Sequence, residues 1–354
     1  MRWAVVLAGG VGSRFWPVST AARPKQLLPL AGTSSLLAES TARLLGPVSA
    51  DRVLVVTSRA LAAAVRREVA PVPEANVLVE PVARSTAPAL AWATAHAARQ
   101  DPDATILSVH ADWAVGDVEA FQYAAVQAMT LAEREDVLVT VGARPTRAET
   151  GYGHIVPGEP LEASSGGGGG AGGGRRIARF VEKPDLALAQ SLMFLGALWN
   201  TGMFAWTARR FRAEVAAHTP EVSRALPHLD AGDVNAFFAG STPVSIDVGL
   251  YERSSRGAVV PGDFGWDDVG SWAALRRVRA TDESGNVLVG RAVATGCTNS
   301  VVWADDGALV VDGLRDVVVV QARGITLVTT AERAPDLKKL LDALPADLAG
   351  ARGA

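Results

Sequence analysis

The residues most able to do chemistry follow the first apolar stretch of the chain. Leu7 and Ala8 lead into Gly9, Gly10, Gly12, Ser13 and Arg14, and Lys25 follows after Pro17 and Pro24. Closely spaced glycines let backbone N–H groups approach a phosphate without interference from Cβ atoms. The dinucleotide fingerprint GxGxxG fails, because Phe15 stands where its third glycine belongs. The P-loop pattern fails too, for want of GK followed by Ser or Thr. What remains is a phosphate loop of another kind. Arg14 can grip phosphate oxygens with its planar fork, and Lys25 adds a second point charge. The two prolines hold the loop extended rather than helical.

A loop of this sort needs a scaffold that ends strands beside it. Apolar runs such as WAVVLAG, DRVLVVTS, NVLVEP, ATILSVHAD and DVLVTVGARP alternate with helical patterns, among them SSLLAESTARLL, LAAAVRREVA, TAPALAWATAHAARQ and VEAFQYAAVQAMTLAERE. Near-continuous Val/Ile/Leu runs separated by amphipathic helices predict an α/β fold, with a Rossmann-like, doubly wound and mostly parallel sheet covered on both faces. Ligands bind beyond the carboxyl ends of such strands. That expectation puts Gly9–Arg14, Glu80–Thr86, His110–Trp113 and Arg144–Tyr152 along one rim. From residue 285 onward the pattern changes to short β-runs without helices between them (NVLVG, TNSVVWAD, GALVVDG, DVVVVQA, ITLVTT), closed by the helical APDLKKLLDAL. Two domains are therefore expected, 1–284 and a small C-terminal β-domain at 285–354 with a stacked, solenoid-like arrangement of the left-handed β-helix kind. The glycine-rich residues 166–174 are expected to form a flexible surface loop between two β-segments.

Composition excludes several classes. With 354 residues, 49% hydrophobic and 20% charged, the chain has the profile of an ordinary soluble globular protein. Lys and Arg number 34 against 37 Asp and Glu, giving a net charge of −3 with no long basic run, so no nucleic-acid partner is expected. No stretch reaches the ~20 apolar residues of a membrane helix, and AVVLA is too short for a signal sequence. The expected location is the cytoplasm. Cys297 is alone, and neither a disulfide nor a zinc site can be built from it; it reads as a small core filler.

The segment GGVGSRFWPVSTAARPKQLLPL closely resembles the signature of the sugar-1-phosphate nucleotidyltransferases, in particular the mannose-1-phosphate guanylyltransferases. Further blocks match in order: EPVARSTAPAL, PTRAETGYGHI, FVEKPD, LWNTGMFAW, SIDVGLYE and FGWDDVGSW. Together they run from residue 3 to about residue 275. The resemblance implies a GT-A-like nucleotidyltransferase domain. It also implies a reaction in which mannose 1-phosphate attacks the α-phosphorus of GTP, with Mg²⁺, to give GDP-mannose and pyrophosphate. Such transfers depend on in-line positioning and charge neutralisation more than on covalent help.

On that resemblance, Arg14 and Lys25 become the catalytic cations, with Leu7, Ala8, Gly9, Gly10, Gly12 and Ser13 lining the nucleotide. Asp112 and Asp268 become the Mg²⁺ ligands, with Asp267 a neighbouring alternative. Where the family commonly has Asp-His, this chain has Asp112-Trp113, and His110 stands two residues earlier. Glu80 is the expected guanine reader, since a carboxylate can accept from both N1–H and N2–H₂. Arg84 and Thr86 are expected beside it, in a block that departs from the family's Gly-Arg-Asn-Thr at Ala83 and Ser85. The sugar phosphate falls to Gly153, Glu182, Lys183, Asn200 and Asp247, where Asp247 reads equally well as a turn residue. Trp199, Trp206, Trp266 and Trp272 read as packing residues.

Two rivals stay open at this point. One is a nucleotidyltransferase for another hexose 1-phosphate or nucleoside triphosphate; the other is a regulatory protein that binds a sugar nucleotide without catalysis. The chain ends near residue 354, which leads to the expectation of one activity, without the phosphomannose isomerase domain of longer relatives. An edge of the β-domain offers a place for a second subunit, as in a homodimer.

Overall fold

The structure is a computed structural model that describes residues 1–10, 13–161, 173–345 and 348. The chain divides into two compact units. The first takes in Met1–Ala8, Ser40–His110 and Asp117–Trp266; the second takes in Gly9–Glu39, Ala111–Gly116 and the chain from Asp267 onward.

The first unit is built on one mixed sheet. Its strands are β1 (Arg2–Leu7), β2 (Val53–Ser58), β3 (Val77–Glu80), β4 (Thr105–His110), β5 (Leu138–Ala143), β6 (His154–Pro160), β7 (Arg175–Val181), β8 (Leu198–Thr207) and β9 (Gly257–Pro261), in the spatial order β3-β2-β1-β4-β8-β5-β9-β7-β6. β3, β2, β1 and β4 are parallel, and β5 is parallel to β9. β8 enters antiparallel between β4 and β5, and β6 and β7 form an antiparallel pair at the far edge. The glycine-rich run between β6 and β7 lies, from 162 to 172, outside the described residues.

Burial on both faces explains the unbroken apolar runs. Trp3, Val5 and Leu7 pack with Ile106, Phe204 and Trp206 against the helices Thr86–Gln100 and Ala208–His218, while the alternate residues Ala4, Val6, Leu107 and Val109 are equally buried. The helix Val118–Glu135 lies against β4, β5 and β8, its start capped by Asp117, which accepts from the Ala120 amide at 2.9 Å. Each large apolar side chain withdrawn from water adds roughly 1.5–3 kcal/mol. Trp206 stacks on Phe211 at 4.5 Å and donates its indole N–H to Thr94 Oγ1 at 3.1 Å, so this buried indole does not leave its donor unsatisfied. The strand order turns outward in opposite directions from β1 and β4, the switch point beyond which doubly wound sheets bind ligands. β1, β3, β4 and β5 run in one direction and end at Leu7, Glu80, His110 and Ala143.

In the second unit, β10 (Val287–Val289), β12 (Val301–Ala304) and β14 (Val317–Ala322) stack in parallel, as do β11 (Ala292–Thr295) and β13 (Leu309–Asp312). Two parallel ladders climbing in step make a short solenoid, closed by β15 (Ile325–Thr330), which runs antiparallel to β14. Cys297, Val302, Val311 and Val319 fill one part of it. Val301, Trp303, Val318 and Val320 face a shared core with Phe15, Trp16, Leu28, Leu30 and Trp272. The solenoid thus anchors the N-terminal signature loop. Trp272 meets Phe15 at 5.1 Å and donates to the carbonyl of Trp16 at 3.0 Å. The Arg279 guanidinium lies over Trp303 and binds the carbonyls of Pro29, Leu30 and Gly32 at 2.7, 2.8 and 2.6 Å. Among the described residues, no helix is long and apolar enough to cross a membrane.

Candidate active site

In the second unit, Pro24 holds the backbone extended, and a buried single turn, Lys25–Leu27, follows it. The turn sends adjacent side chains to different targets. Lys25 Nζ lies 3.0 Å from Asp112 Oδ2 and also donates to the carbonyl of Asp268. Gln26, almost wholly buried, donates to the carbonyls of Gly9 and Gly10 at 3.3 and 3.2 Å. Asp112 and Asp268 are drawn near one another by a short β-bridge, in which Ala114 and Asp267 exchange N–H···O bonds of 2.9 and 3.2 Å. Arg14 is exposed, with Nη1 3.5 Å from the Gly270 carbonyl. Gly12 lies outside the described residues. Ser13 begins the single turn Ser13–Phe15.

The adjacent carboxylates Asp267 and Asp268 sit in different surroundings. Asp267 is buried; it accepts from the Val269 amide at 2.8 Å and from Arg277 Nη2 at 3.0 Å, with Arg277 Nε on its other oxygen. Asp268 is partly exposed, and Val269 after it sits at φ +46°, a left-handed conformation strained for a β-branched residue. Asp112, its side chain 44% exposed, and Asp268 offer hard oxygen donors. Among the described residues, no group of three or more His, Cys, Asp or Glu could hold a metal by itself. A donor set of this size suits a small hard cation that takes one or two carboxylates and completes its shell with phosphate oxygens and water. Trp113, in the place of the family's histidine, is buried.

In the first unit, Leu7 and Ala8 are buried. The Ala8 amide donates to Val56 and its carbonyl accepts from Thr57 Oγ1, at 2.8 and 3.2 Å. Glu80 ends β3 opposite Ser58 and is half-buried; burial pushes its carboxyl up to about 7. Arg84 Nε donates to the carbonyl of Phe238 at 3.0 Å, and Thr86 Oγ1 accepts from the Ile246 amide at 2.8 Å. Ser85 turns the chain into the helix Thr86–Gln100 at φ +67°.

Thr86 holds Ile246, and the next residue, Asp247, belongs to a second cluster. Asn200 Nδ2 donates to Asp247 Oδ1 at 2.7 Å, while Asn200 Oδ1 accepts from Thr140 Oγ1 at 2.9 Å and from the Gly202 amide at 3.2 Å. Gly153 accepts from the Asn200 amide at 2.8 Å. A Cβ on Gly153 would come within 2.6 Å of Glu182 Oε2, so glycine is what lets that carboxylate lean across the strand. Lys183 Nζ donates to Glu182 Oε1 at 2.7 Å from a backbone at φ +49°. Burial raises the pKa of Glu182, opposed by its hydrogen bond from Lys183 and reinforced by Asp247. Burial raises Asp247 too, opposed first by the charge of His110. His110 ends β4, with its ring over Gly202.

The five residues expected at the sugar thus form one cluster, and Glu80, Arg84 and Thr86 share one loop. Sequence reasoning missed Thr140 and Gln26, which hold site residues in place, and an aromatic support behind the cluster. Tyr152 meets Trp199 and Trp266 edge-on at 5.2 and 5.1 Å, and Arg147 lies 5.0 Å over Trp199 while pairing with Glu149 at 2.9 Å. The signal for that support was Tyr152 itself, set between Gly151 and Gly153.

Comparison with known proteins gives a consistent picture. A family model described as nucleotidyl transferase matches residues 3–285. A mannose-1-phosphate guanylyltransferase of Escherichia coli K12 is 36% identical over 360 residues, covering 98% of this chain and 74% of that protein. One of Salmonella typhimurium is 37% identical over 361 residues, covering 98% of this chain and 73% of its own length. A solved structure from Thermus thermophilus, described as a mannose-1-phosphate geranyltransferase, superposes with a TM-score of 0.88 at 35% identity, covering 97% of this chain and 98% of that one.

Proposed function

This chain belongs to the nucleotidyl transferase family, alongside the mannose-1-phosphate guanylyltransferases, and from that premise we propose that it transfers GMP from GTP to α-D-mannose 1-phosphate, releasing pyrophosphate. The observation that carries the reading is the Lys25 ammonium bound to Asp112 and to the Asp268 carbonyl, in a chain so similar over its whole length to a mannose-1-phosphate guanylyltransferase.

A phosphate oxygen of mannose 1-phosphate attacks the α-phosphorus of GTP in line, and the bond to the β-phosphate breaks. Arg14 and Lys25 neutralise charge on the triphosphate, and the amides of the glycine loop, oriented through Gln26, bind its oxygens. Enzymes of this kind generally use a divalent metal; Mg²⁺, held by Asp112 and Asp268, supplies further charge neutralisation at the phosphates when bound. Glu80 accepts from guanine N1–H and N2–H₂, with Arg84 and Thr86 shaping the loop beside it. Glu182, Asn200 and Asp247 bind the hydroxyls of the mannose, Gly153 admits the sugar, and Lys183 faces its phosphate. The substrates are those of the cytoplasm, where we place the reaction.

The test is pyrophosphate release at pH 8 over four nucleoside triphosphates and several hexose 1-phosphates. We expect GTP with mannose 1-phosphate to give the highest kcat/KM. Preference for another base would overturn the role of Glu80, preference for another sugar would overturn the sugar assignment, and no turnover at all would favour a binding protein.

A further inference from the structure

The loop between β5 and β6, residues 144–153, carries a side chain to which the proposed reaction gives no task. The Arg147 guanidinium lies 5.0 Å from the centre of the Trp199 ring and 5.9 Å from that of Tyr152. Its Nη2 donates to Glu149 Oε2 at 2.9 Å and to the Tyr152 hydroxyl at 3.3 Å, while its Nε donates to the same Glu149 oxygen at 3.2 Å. The other Glu149 oxygen accepts from the Gly151 amide at 3.1 Å. One planar group thus joins the loop's carboxylate to two buried aromatic rings. Each of those rings is one residue away from the sugar cluster. Tyr152 precedes Gly153, and Trp199 precedes Asn200. The Tyr152 carbonyl accepts from the Lys183 amide at 3.3 Å, and the Gly153 carbonyl accepts from the Asn200 amide at 2.8 Å. Among the described residues, Arg147 makes no hydrogen bond to Gly153, Glu182, Lys183, Asn200 or Asp247. Its hold on them runs through residues 152 and 199. Stability is a poor account of the arrangement, because Arg147 and Glu149 are both partly exposed and such ion pairs add little to folding. A lysine would serve an exposed pair equally well. Reaching a carboxylate and a phenol together while stacking on an indole takes the flat fork of arginine.

We propose that Arg147 is a positioning residue for the sugar phosphate: it fixes Tyr152 against Trp199 and so sets the spacing of Gly153 and Asn200 at which mannose 1-phosphate is held. The inference rests on the reading of Gly153, Glu182, Lys183 and Asn200 as the sugar cluster. In this role Arg147 touches no reacting atom. It keeps the cluster in one arrangement before the substrate arrives, so that binding does not have to order it.

The experiment is steady-state kinetics on Arg147→Lys and Arg147→Met, varying mannose 1-phosphate and GTP in turn. Lysine keeps the charge without the fork, and methionine keeps only an apolar contact with Trp199. Both variants are expected to raise KM for mannose 1-phosphate about tenfold, with kcat and KM for GTP within about threefold of the wild type. Should both fold poorly, Glu149→Gln leaves the arginine in place and removes the charged acceptor that orients it. That variant is expected to raise the same KM about threefold and to leave KM for GTP unchanged. An Arg147→Lys enzyme with the wild-type KM would show that charge alone suffices, and would overturn the proposal. So would a KM that rises equally for both substrates, a Glu149→Gln enzyme with both KM values unchanged, or Arg147 variants that melt earlier with every kinetic constant intact. Failure of the wild type to turn over GTP with mannose 1-phosphate would instead overturn the proposed function.

Discussion

Asp267 and Asp268 show how far neighbouring carboxylates can diverge. Asp267 is closed in by Arg277 and the Val269 amide, whereas Asp268 is partly exposed after the same bend. Removing the Asp267 charge leaves the Val269 amide and the partly exposed Arg277 guanidinium without their acceptor. We therefore expect Asp267→Asn to lose about 1–3 kcal/mol of stability, seen as an earlier thermal unfolding transition. Asp268→Asn should unfold near the wild-type temperature and lose roughly 10²–10³ in kcat, the scale of one electrostatic contact removed from a transferring phosphate. If Asp267→Asn proved thermally neutral but inactive, the assignments would have to be exchanged. The resemblance could nominate Glu80, Glu182 and Asn200, and their hydrogen-bonding edges fit the roles it implies, because those edges are properties of the residue. It could not separate Asp267 from Asp268, since Arg277, the residue that distinguishes them, acts through a fold and not through spacing.

At the scale of elements, the runs that read as strands are strands. β1, β2, β4 and β5 are buried on both faces and therefore leave unbroken apolar stretches. The expected doubly wound, mostly parallel sheet is found. Direction was less legible: β8 is as apolar as its neighbours, yet it runs antiparallel between β4 and β5, and nothing in its composition says so. β11, four residues of RAVATG, escaped notice because alternating small residues leave a weak pattern. The solenoid's tight corners depend on glycine to different degrees. Gly290 and Gly313 both have positive φ, +73° and +69°, but a Cβ on Gly290 would lie 2.0 Å from the Ala304 carbonyl oxygen, and one on Gly313 would meet nothing within 4 Å. Gly313→Ala should cost only the backbone term, about 1 kcal/mol, while Gly290→Ala should add a clash with a backbone that cannot move without breaking the β10–β12 ladder. Circular dichroism melting of the two variants checks this; equal losses would mean that the corner at residue 290 can relax.

The molecule as a whole divides its residues between two compact units, and the division follows contacts instead of chain order. Lys25, Asp112 and Asp268 come from three separated segments of one unit; Glu80, Glu182, Asn200 and Asp247 belong to the other. Such interleaving is invisible in a sequence read from end to end, because the signature loop joins the solenoid's core through Phe15, Trp16 and Leu28, long before the solenoid's own residues appear. In the proposed reaction the two sets do different work, and kinetics can tell them apart. Charge that develops on the phosphates during transfer is met by Lys25, so Lys25→Met removes an interaction that strengthens in the transition state. It should lower kcat and kcat/KM together by ~10²-fold or more. Sugar hydroxyls keep their character throughout the transfer, so Glu182→Gln removes binding that ground state and transition state share. It should raise KM for mannose 1-phosphate about tenfold, leave KM for GTP unchanged and hold kcat within a few-fold. Steady-state kinetics on both variants, varying each substrate in turn, would sink this division if Glu182→Gln lost kcat without a change in KM, or if Lys25→Met acted only through KM.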